Sequence, residues 1–251
     1  MKLKYASWVD VEEYFKDHDT CIIGVGSIEC HGMHNPLGVD TIIPEYILDT
    51  IADRTDILIL PSLPYGSTEY FMGYPGTISL GNELLYQVLK KITEAMISYG
   101  AKRFIYLNGH GGNVSSIESV CLDLDKQGLI GCCLNWWTMV WDLNEKWKGG
   151  HGGGEETAAI LAIDDRLINK DRIVDYVCYP LSDTIQVTGL RKAQFKGVTF
   201  SLPRSYQKMT NSGWLGNDHP KDATKEWGEE MLSSFCDYLV DFIEEFKKVK
   251  L

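Results

Sequence analysis

The sequence has little positive charge. Its 251 residues include 24 Lys and Arg against 35 Asp and Glu, which gives a formal net charge of −11 at pH 7. A surface that binds nucleic-acid phosphates needs Lys and Arg concentrated on one face, and no segment supplies such a cluster. The composition therefore argues against a nucleic-acid partner, and we expect a small-molecule substrate instead.

A long hydrophobic run is also missing. Although 44% of the residues are hydrophobic, no apolar stretch approaches the roughly 20 residues that span a bilayer. The first residues, MKLKYASWVDVEEYF, contain acids where a signal peptide needs an apolar core. We therefore expect no membrane association and a cytoplasmic location.

The cysteines lack any pairing pattern. There are seven of them, an odd number, and no C-x-x-C spacing occurs. This pattern fits reduced thiols rather than a disulfide framework or a thiolate zinc site.

Four short apolar runs alternate with segments of helical periodicity. The runs that predict strands are 21–26, 56–66, 102–108 and 129–137. The segments that predict helices are 81–99, which Gly100 stops, 114–128, 155–168 and 224–248. This alternation predicts one α/β domain over residues 1–251, with a mostly parallel sheet covered by helices on both faces. The less periodic segment 170–217 is interpreted as loops and short strands, with subunit contacts as one role for it.

Polar side chains follow these predicted strands. Glu29 and His31 come after the first strand in GSIECHGMHNPLGVD (26–40), with Asp40 at the end of that motif. His110 follows the strand 102–108, and Glu156 lies at the start of a predicted helix. Ligands of parallel sheets collect beyond the carboxyl ends of the strands, so we expect these side chains at one edge of the sheet.

Carboxylates and imidazoles without thiolates suit Zn²⁺ or Mn²⁺. Three carboxylates and two imidazoles are too many ligands for a single ion, so two ions that share a carboxylate are the better interpretation. With Glu29, Asp40 and Glu156 ionised, two divalent ions leave one positive charge, which a bridging hydroxide would cancel. Such a hydroxide exists near neutral pH because metal binding lowers the pKa of water towards ~7.

Each of these signals is weak alone. The Glu29-x-His31 pair is compatible with a surface pair, and Asp40 with a turn residue or helix cap. His110, in NGHGGN (108–113), is compatible with a turn beside an anion-binding nest. A phosphate-binding Rossmann-type site is the weakest interpretation, because no G-x-G-x-x-G follows a strand at the required spacing. The predicted meeting of all the clusters at one sheet edge favours the metal site.

Several motifs together resemble the creatininase (creatinine amidohydrolase) family. They are GSIECHGMHNPLGVDT (26–41), YPGTISL (74–80), NGHGGN (108–113), HGGGEETA (151–158) and SGWLGNDHPKDATKEWGEEML (212–232). The resemblance covers most of the chain, in the family's order and spacing. It implies a three-layer α/β/α fold, a dinuclear metal centre that uses zinc, manganese or iron, and a homo-oligomer such as a hexamer.

The resemblance also implies individual roles. Asp40 would bridge the two ions, Glu29 and His110 would hold one ion, and His31 and Glu156 would hold the other. His151 would be the catalytic group that moves a proton. Ser79 and Trp147 fall on positions that line the family's substrate pocket. Gly111, which stands where the family has an aromatic residue, is expected as a further substrate contact.

Two departures alter the predicted substrate wall. Creatininase proper has a bulky aromatic residue and a carboxylate after its NGH, where this chain has Gly111 and Gly112, and it has acids where this chain has Lys148 to Gly150. We therefore expect a metal-dependent amidohydrolase that opens a non-peptide C–N bond, in a cyclic amide or a formamide, by attack of the bridging hydroxide. The alternatives are a non-catalytic metal- or ligand-binding member of the fold and a branch acting on a formamidopyrimidine or a peptide precursor.

Other candidate residues have simpler interpretations. His34 has no matching ligand role and is expected behind the ligands or in the pocket lining. Glu155 is expected as a helix-start acid, which the helix dipole favours. Trp136, Trp137 and Trp141 are expected in the core or at a subunit interface, with a pocket position for one of them as the alternative.

Overall fold

The structure is a computed structural model that describes residues 1–251. Its central feature is a four-stranded sheet in which every neighbouring pair of strands is parallel. The strands are β1 (Thr20–Val25), β2 (Leu58–Leu63), β3 (Arg103–Asn108) and β4 (Ile130–Asn135). They lie in the order β2-β1-β3-β4. The predicted α/β fold with a mostly parallel sheet is confirmed.

Seven α-helices accompany the sheet. They are α1 (Trp8–Asp17), α2 (Val39–Ile51), α3 (Gly81–Tyr99), α4 (Val114–Asp125), α5 (Trp136–Leu143), α6 (Gly154–Asp164) and α7 (Lys225–Phe246). Local chemistry sets several of their ends. Ser7 and Asp10 form a capping box at the start of α1, and Thr224 accepts the Trp227 N–H at the start of α7. Gly100, at φ 120°, ends α3 as predicted.

Two hydrophobic cores lie on opposite faces of the parallel sheet. Alternate residues of β1 point to opposite faces, so Ile22 packs in one core and Ile23 in the other. The first core contains side chains of α2, α5, α6 and α7, and the second contains side chains of α1, α3 and α4. Because both faces are covered, the molecule has the three layers α/β/α that the family resemblance implied.

The strand predicted over 129–137 is too long at its carboxyl end. β4 stops at Asn135, and Trp136 begins α5. In a helix, Trp136 and Val140 share one face, and both are buried in the first core. Burial of this face favours the helix over an extended continuation of β4. Helices α1 and α2 were not predicted at all.

The segment 170–217 contains a small antiparallel sheet, as the prediction of short strands required. Its strands are β5 (Ile185–Gly189), β6 (Lys192–Phe195) and β7 (Val198–Ser201), which pair in chain order. Its role in subunit contacts stays a prediction. None of the helices combines the length and the apolar composition that crossing a membrane requires.

Candidate metal centre

Loops and helix starts bring the predicted ligands to the carboxyl edge of the parallel sheet. Glu29 and His31 lie in the loop after β1, and His110 comes two residues after β3. Asp40 and Glu156 lie in the first turns of α2 and α6. All five residues are buried, with exposures between 0% and 9%. The sequence motifs therefore converge on one buried cluster.

Asp40 lies at the centre of this cluster. Its Oδ1 is 2.9 Å from His31 Nε2, and its Oδ2 is 3.1 Å from His110 Nδ1. Glu29 Oε1 is also 3.1 Å from His110 Nδ1, and Glu156 Oε2 is 3.6 Å from His31 Nε2. Three groups of three are each able to hold a metal ion: Glu29, Asp40 and His110; His31, Asp40 and Glu156; and Glu29, His31 and His151. Asp40 belongs to the two groups that consist of predicted ligands alone.

Backbone carbonyls fix the tautomers of the three histidines at the site. His31 Nδ1 is 3.1 Å from the Glu29 carbonyl oxygen, and His110 Nε2 is 2.9 Å from that of Ser67. His151 Nε2 is 2.7 Å from the Cys30 carbonyl oxygen. A carbonyl oxygen only accepts, so each of these ring nitrogens carries the hydrogen. The other nitrogen of each ring faces the carboxylates. On His31 and His110 that nitrogen would offer its lone pair to a metal ion once the proton that it carries in the metal-free protein has left.

The cluster is short of positive charge. Both carboxylate oxygens of Glu29 and Nε2 of His31 are buried, and no well-aligned hydrogen bond satisfies them despite the short contacts to His110 and Asp40. Burial alone would lower the pKa of His31, but the charges of Asp40 and Glu156 raise it to about 10. Burial would likewise lower the pKa of His110, which Glu29 and Asp40 instead raise well above its ordinary value. Divalent ions would supply the charge that these carboxylates otherwise take from protons, so the donor set fits metal.

Gly109 allows β3 to deliver His110 to the cluster. A Cβ on Gly109 would lie 1.9 Å from the carbonyl oxygen of Asp40 and 3.0 Å from Cγ of Pro44. Pro44 has no N–H with which to bond that carbonyl four residues earlier. The backbone after β3 therefore approaches the start of α2 closely, which a side chain at position 109 would prevent.

A cavity of about 350 Å³ opens onto the cluster. Asp40, His110, His151 and Glu156 reach its surface, while Glu29 and His31 lie beneath it. Gly111 also lines this cavity, as predicted for a substrate contact.

The other two predicted substrate contacts do not line the cavity. Trp147 is 6% exposed and packs in the first hydrophobic core, away from the lining. Ser79 Oγ accepts hydrogen bonds from the N–H groups of Thr68 and Gly81, at 2.8 and 3.1 Å. In this structure Trp147 supports packing and Ser79 supports a loop, and their contact with substrate stays a prediction.

The tryptophan cluster divides between core and cavity. Trp136 is completely buried in the core, as expected, but Trp137 and Trp141 line the cavity. Their spacing of four residues places both on one face of α5. Two of the three tryptophans therefore face the cavity, where the sequence left room for one, because α5 replaces the end of the strand predicted over 129–137.

Glu155 and His34 lie beside the ligands. Glu155 is a helix-start acid, as expected, but it also lines the cavity and accepts the Trp141 indole N–H at 2.9 Å. His34 is buried, and its Nε2 is 3.1 Å from Thr157 Oγ1 on α6, so it supports the helix that carries Glu156.

The fold and the cluster together define an α/β protein with a candidate metal centre at the carboxyl edge of its sheet. The family model for creatinine amidohydrolase matches residues 4–243. The chain belongs to the creatininase family.

Two relatives of known activity show the range of this family. The chain is 29% identical to creatinine amidohydrolase of Pseudomonas putida over 210 residues, which are 74% of this chain and 81% of the relative. It is 30% identical to the mycofactocin precursor peptide peptidase of Mycolicibacterium smegmatis over 237 residues, which are 90% of this chain and 85% of the relative. Both relatives are hydrolases, and they act on different substrates.

Solved creatininase structures share the fold. A mutant creatininase of the Zn-Zn type superposes with a TM-score of 0.76 at 25% identity, and the match covers 99% of this chain and 98% of the mutant. A manganese form of creatininase gives a TM-score of 0.77 at 24% identity, with 99% of each chain covered. Divalent metal binding by these structural neighbours agrees with the ligand groups in this chain.

Proposed function

We propose that this protein is a metal-dependent amidohydrolase that cleaves a non-peptide C–N bond, in a cyclic amide or a formamide. The observation that carries the proposal is the pair of three-residue ligand groups that share Asp40 beneath a cavity. Membership of a family of hydrolases supports the same reaction class.

The ligands would hold two divalent ions. Glu29 and His110 would hold one ion, His31 and Glu156 would hold the other, and Asp40, which belongs to both groups, would be shared. When bound, such ions supply Lewis acidity and lower the pKa of a water molecule towards ~7. Zinc or manganese suits this set of oxygens and nitrogens, and iron is a further candidate.

His151 is the proposed proton carrier. Its Nε2 hydrogen is held by the Cys30 carbonyl, and its Nδ1 lies 3.7 Å from Glu29 Oε1 at the cavity surface. Burial keeps the pKa of His151 well below its ordinary value, so the ring is neutral at pH 7 and able to take a proton from the attacking water. The imidazolium then passes that proton to the departing nitrogen as the C–N bond breaks.

Cleavage of a peptide precursor is the second candidate. The mycofactocin precursor peptide peptidase matches 90% of this chain, and the exposed Gly111 leaves the cavity wall without a side chain. Substrate size therefore separates the two candidates. Assembly into a homo-oligomer, a single domain over residues 1–251 and a cytoplasmic location stay predictions.

Elemental analysis and an amide screen test the proposal. Protein purified without chelator is analysed for zinc, manganese and iron, with Asp40→Ala as the metal-deficient control. We expect about two ions per wild-type chain and hydrolysis within a panel of creatinine, other lactams, formamides and short peptides. A metal-loaded wild type that hydrolyses no amide in the panel would support a non-catalytic binding protein instead.

A further inference from the structure

Lys192 is the one lysine or arginine that lines the cavity above the metal-ligand cluster. Its ammonium has no acidic partner, because every lysine or arginine ion pair in the structure involves other basic residues. The positive charge is therefore free to contact a ligand.

The acids of the cavity are engaged elsewhere. Asp40 contacts His31 and His110, and Glu155 accepts the indole N–H of Trp141. Glu156 accepts the Gly152 N–H at 2.6 Å. None of these carboxylates pairs with Lys192. The lysine therefore does not serve to neutralise the acids of the cavity.

The backbone that carries Lys192 is held in place. Gly189 pairs with Lys192 across the two-residue turn between β5 and β6. In that turn Arg191 has φ 55°, a left-handed conformation that non-glycine residues adopt only when their surroundings hold it. Its guanidinium carbon lies 5.3 Å from the ring centroid of Tyr70, and its carbonyl accepts the Leu202 N–H at 2.7 Å. Contacts on both sides of the turn thus fix the backbone position from which the Lys192 side chain extends.

Apolar side chains also line the cavity. Its apolar part consists of Trp137, Trp141, Leu190 and Leu215, beside the polar Thr188, and such apolar surfaces accept the uncharged part of a ligand. The volume of about 350 Å³ lies at the lower end of the range for ligand pockets, which is roughly 300–1,000 Å³. A small molecule or the end of a peptide fits this space.

We propose that Lys192 recognises a carboxylate on the substrate, so that the substrate class is an amide with an anionic group near the scissile bond. The inference rests on the proposed amidohydrolase function, because the scissile bond must reach the cluster below. A small N-acyl amino acid and the C-terminal end of a peptide both present this chemistry.

Two matched pairs of probes test the charge preference. The first pair is N-formylglycine and its neutral amide, and the second is tetraalanine with a free or an amidated C-terminus. Binding to the zinc-loaded full chain is measured by calorimetry, and release of amine is measured in parallel. The ratio of carboxylate to amide affinity is the quantity compared, because the metal ions also attract carboxylates in every variant.

Three variants isolate Lys192. Lys192→Ala removes the ammonium, and Lys192→Arg keeps a cation. Lys196→Ala, in the turn between β6 and β7, removes an equal charge from the same small sheet outside the cavity lining. We expect Lys192→Ala to lower the affinity ratio about tenfold, as for a charge-assisted hydrogen bond, while the other two variants preserve it. The probe pair whose affinity ratio falls more in Lys192→Ala shows whether the substrate carboxylate belongs to a small N-acyl amino acid or to the end of a peptide.

An unchanged ratio in Lys192→Ala, an equal loss in Lys196→Ala, or no detectable binding of any probe would overturn the inference. Turnover separates it from the proposed function. Hydrolysis without a change in the ratio leaves the amidohydrolase standing and removes the role of Lys192. A lowered ratio without hydrolysis of any probe supports carboxylate recognition and contradicts the hydrolase.

Discussion

Metal loading should release protons from the cluster, and the structure sets how many. In the metal-free protein the pKa of His31 is about 10 and that of His110 is well above its ordinary value, so both rings are protonated at pH 7. Burial raises the pKa of Glu156 to about 7, so this carboxyl holds about half a proton. All three groups must be unprotonated to bind metal. We therefore expect these side chains to release about two to three protons per two Zn²⁺ bound at pH 7, to which ionisation of a metal-bound water adds up to about one.

Calorimetry in non-coordinating buffers of different ionisation enthalpy measures this number. The slope of apparent enthalpy against ionisation enthalpy is the proton count, and the same titration gives the number of ions per chain. Because protons compete with metal below the raised pKa values, the affinity should also increase from pH 7 to pH 9.

Two histidines from one loop provide the variant and its control. His31→Asn removes one imidazole from the cluster, so the ion count and the proton count should both fall by about half. Burial lowers the pKa of His34 to about 4, so this ring is neutral at pH 7 and His34→Asn should leave the proton count unchanged. Release of less than one proton per two ions in the wild type would refute the view that carboxylates hold these imidazoles protonated.

Three further predictions concern the site and its surroundings. His151→Ala should keep both ions and lower turnover by about 10²- to 10⁴-fold, whereas Asp40→Ala should lose metal; equal metal loss in elemental analysis would contradict this division of roles. Gly109→Ala places a methyl group against the Asp40 carbonyl and should lower the free energy of unfolding by about 1–3 kcal/mol, measured by urea denaturation. Gly111→Ala, whose new Cβ meets nothing nearer than 4.0 Å, is its control, and equal stabilities would count against the close approach. The raised pKa of His31 stabilises the metal-free fold below about pH 6.5, and this contribution is lost as pH rises through about 10. The Tm of the metal-free protein should therefore fall between pH 7 and pH 9 relative to that of the manganese-loaded protein. An equal change of Tm with pH in both forms would contradict a stabilising contribution from protonated His31.

Short-range patterns in the sequence predicted much of this molecule. Buried strands such as β1 and β3 are continuous apolar runs because helices cover both of their faces. Glu29, His31 and His110 follow those strands directly, so the sheet edge that collects them was predictable before the structure was known.

Other features depend on contacts between distant residues. Helix α2 contains Pro44 and begins after a glycine-rich loop, and its burial under the sheet outweighs the weak local helix signal. Lys192 lies 36 residues after Glu156, and the small antiparallel sheet brings it to the cavity. No local sequence pattern predicts that these two residues line the same cavity. Trp137 and Trp141 line the cavity because they lie on one face of α5, whose first residues the sequence pattern had predicted as the end of a strand.

Neighbouring acids at the start of α6 have different surroundings. Glu155 meets an indole of the cavity wall, and Glu156 enters the ligand cluster. Consecutive helical residues differ in direction by about 100°, so the phase of α6 decides which carboxylate coordinates. The glycines between His151 and Glu155 therefore act as a spacer of fixed length. Insertion of one residue in that spacer would bring Glu155 to the ligand position and turn Glu156 away from it, whereas deletion of one would put Thr157 at the ligand position.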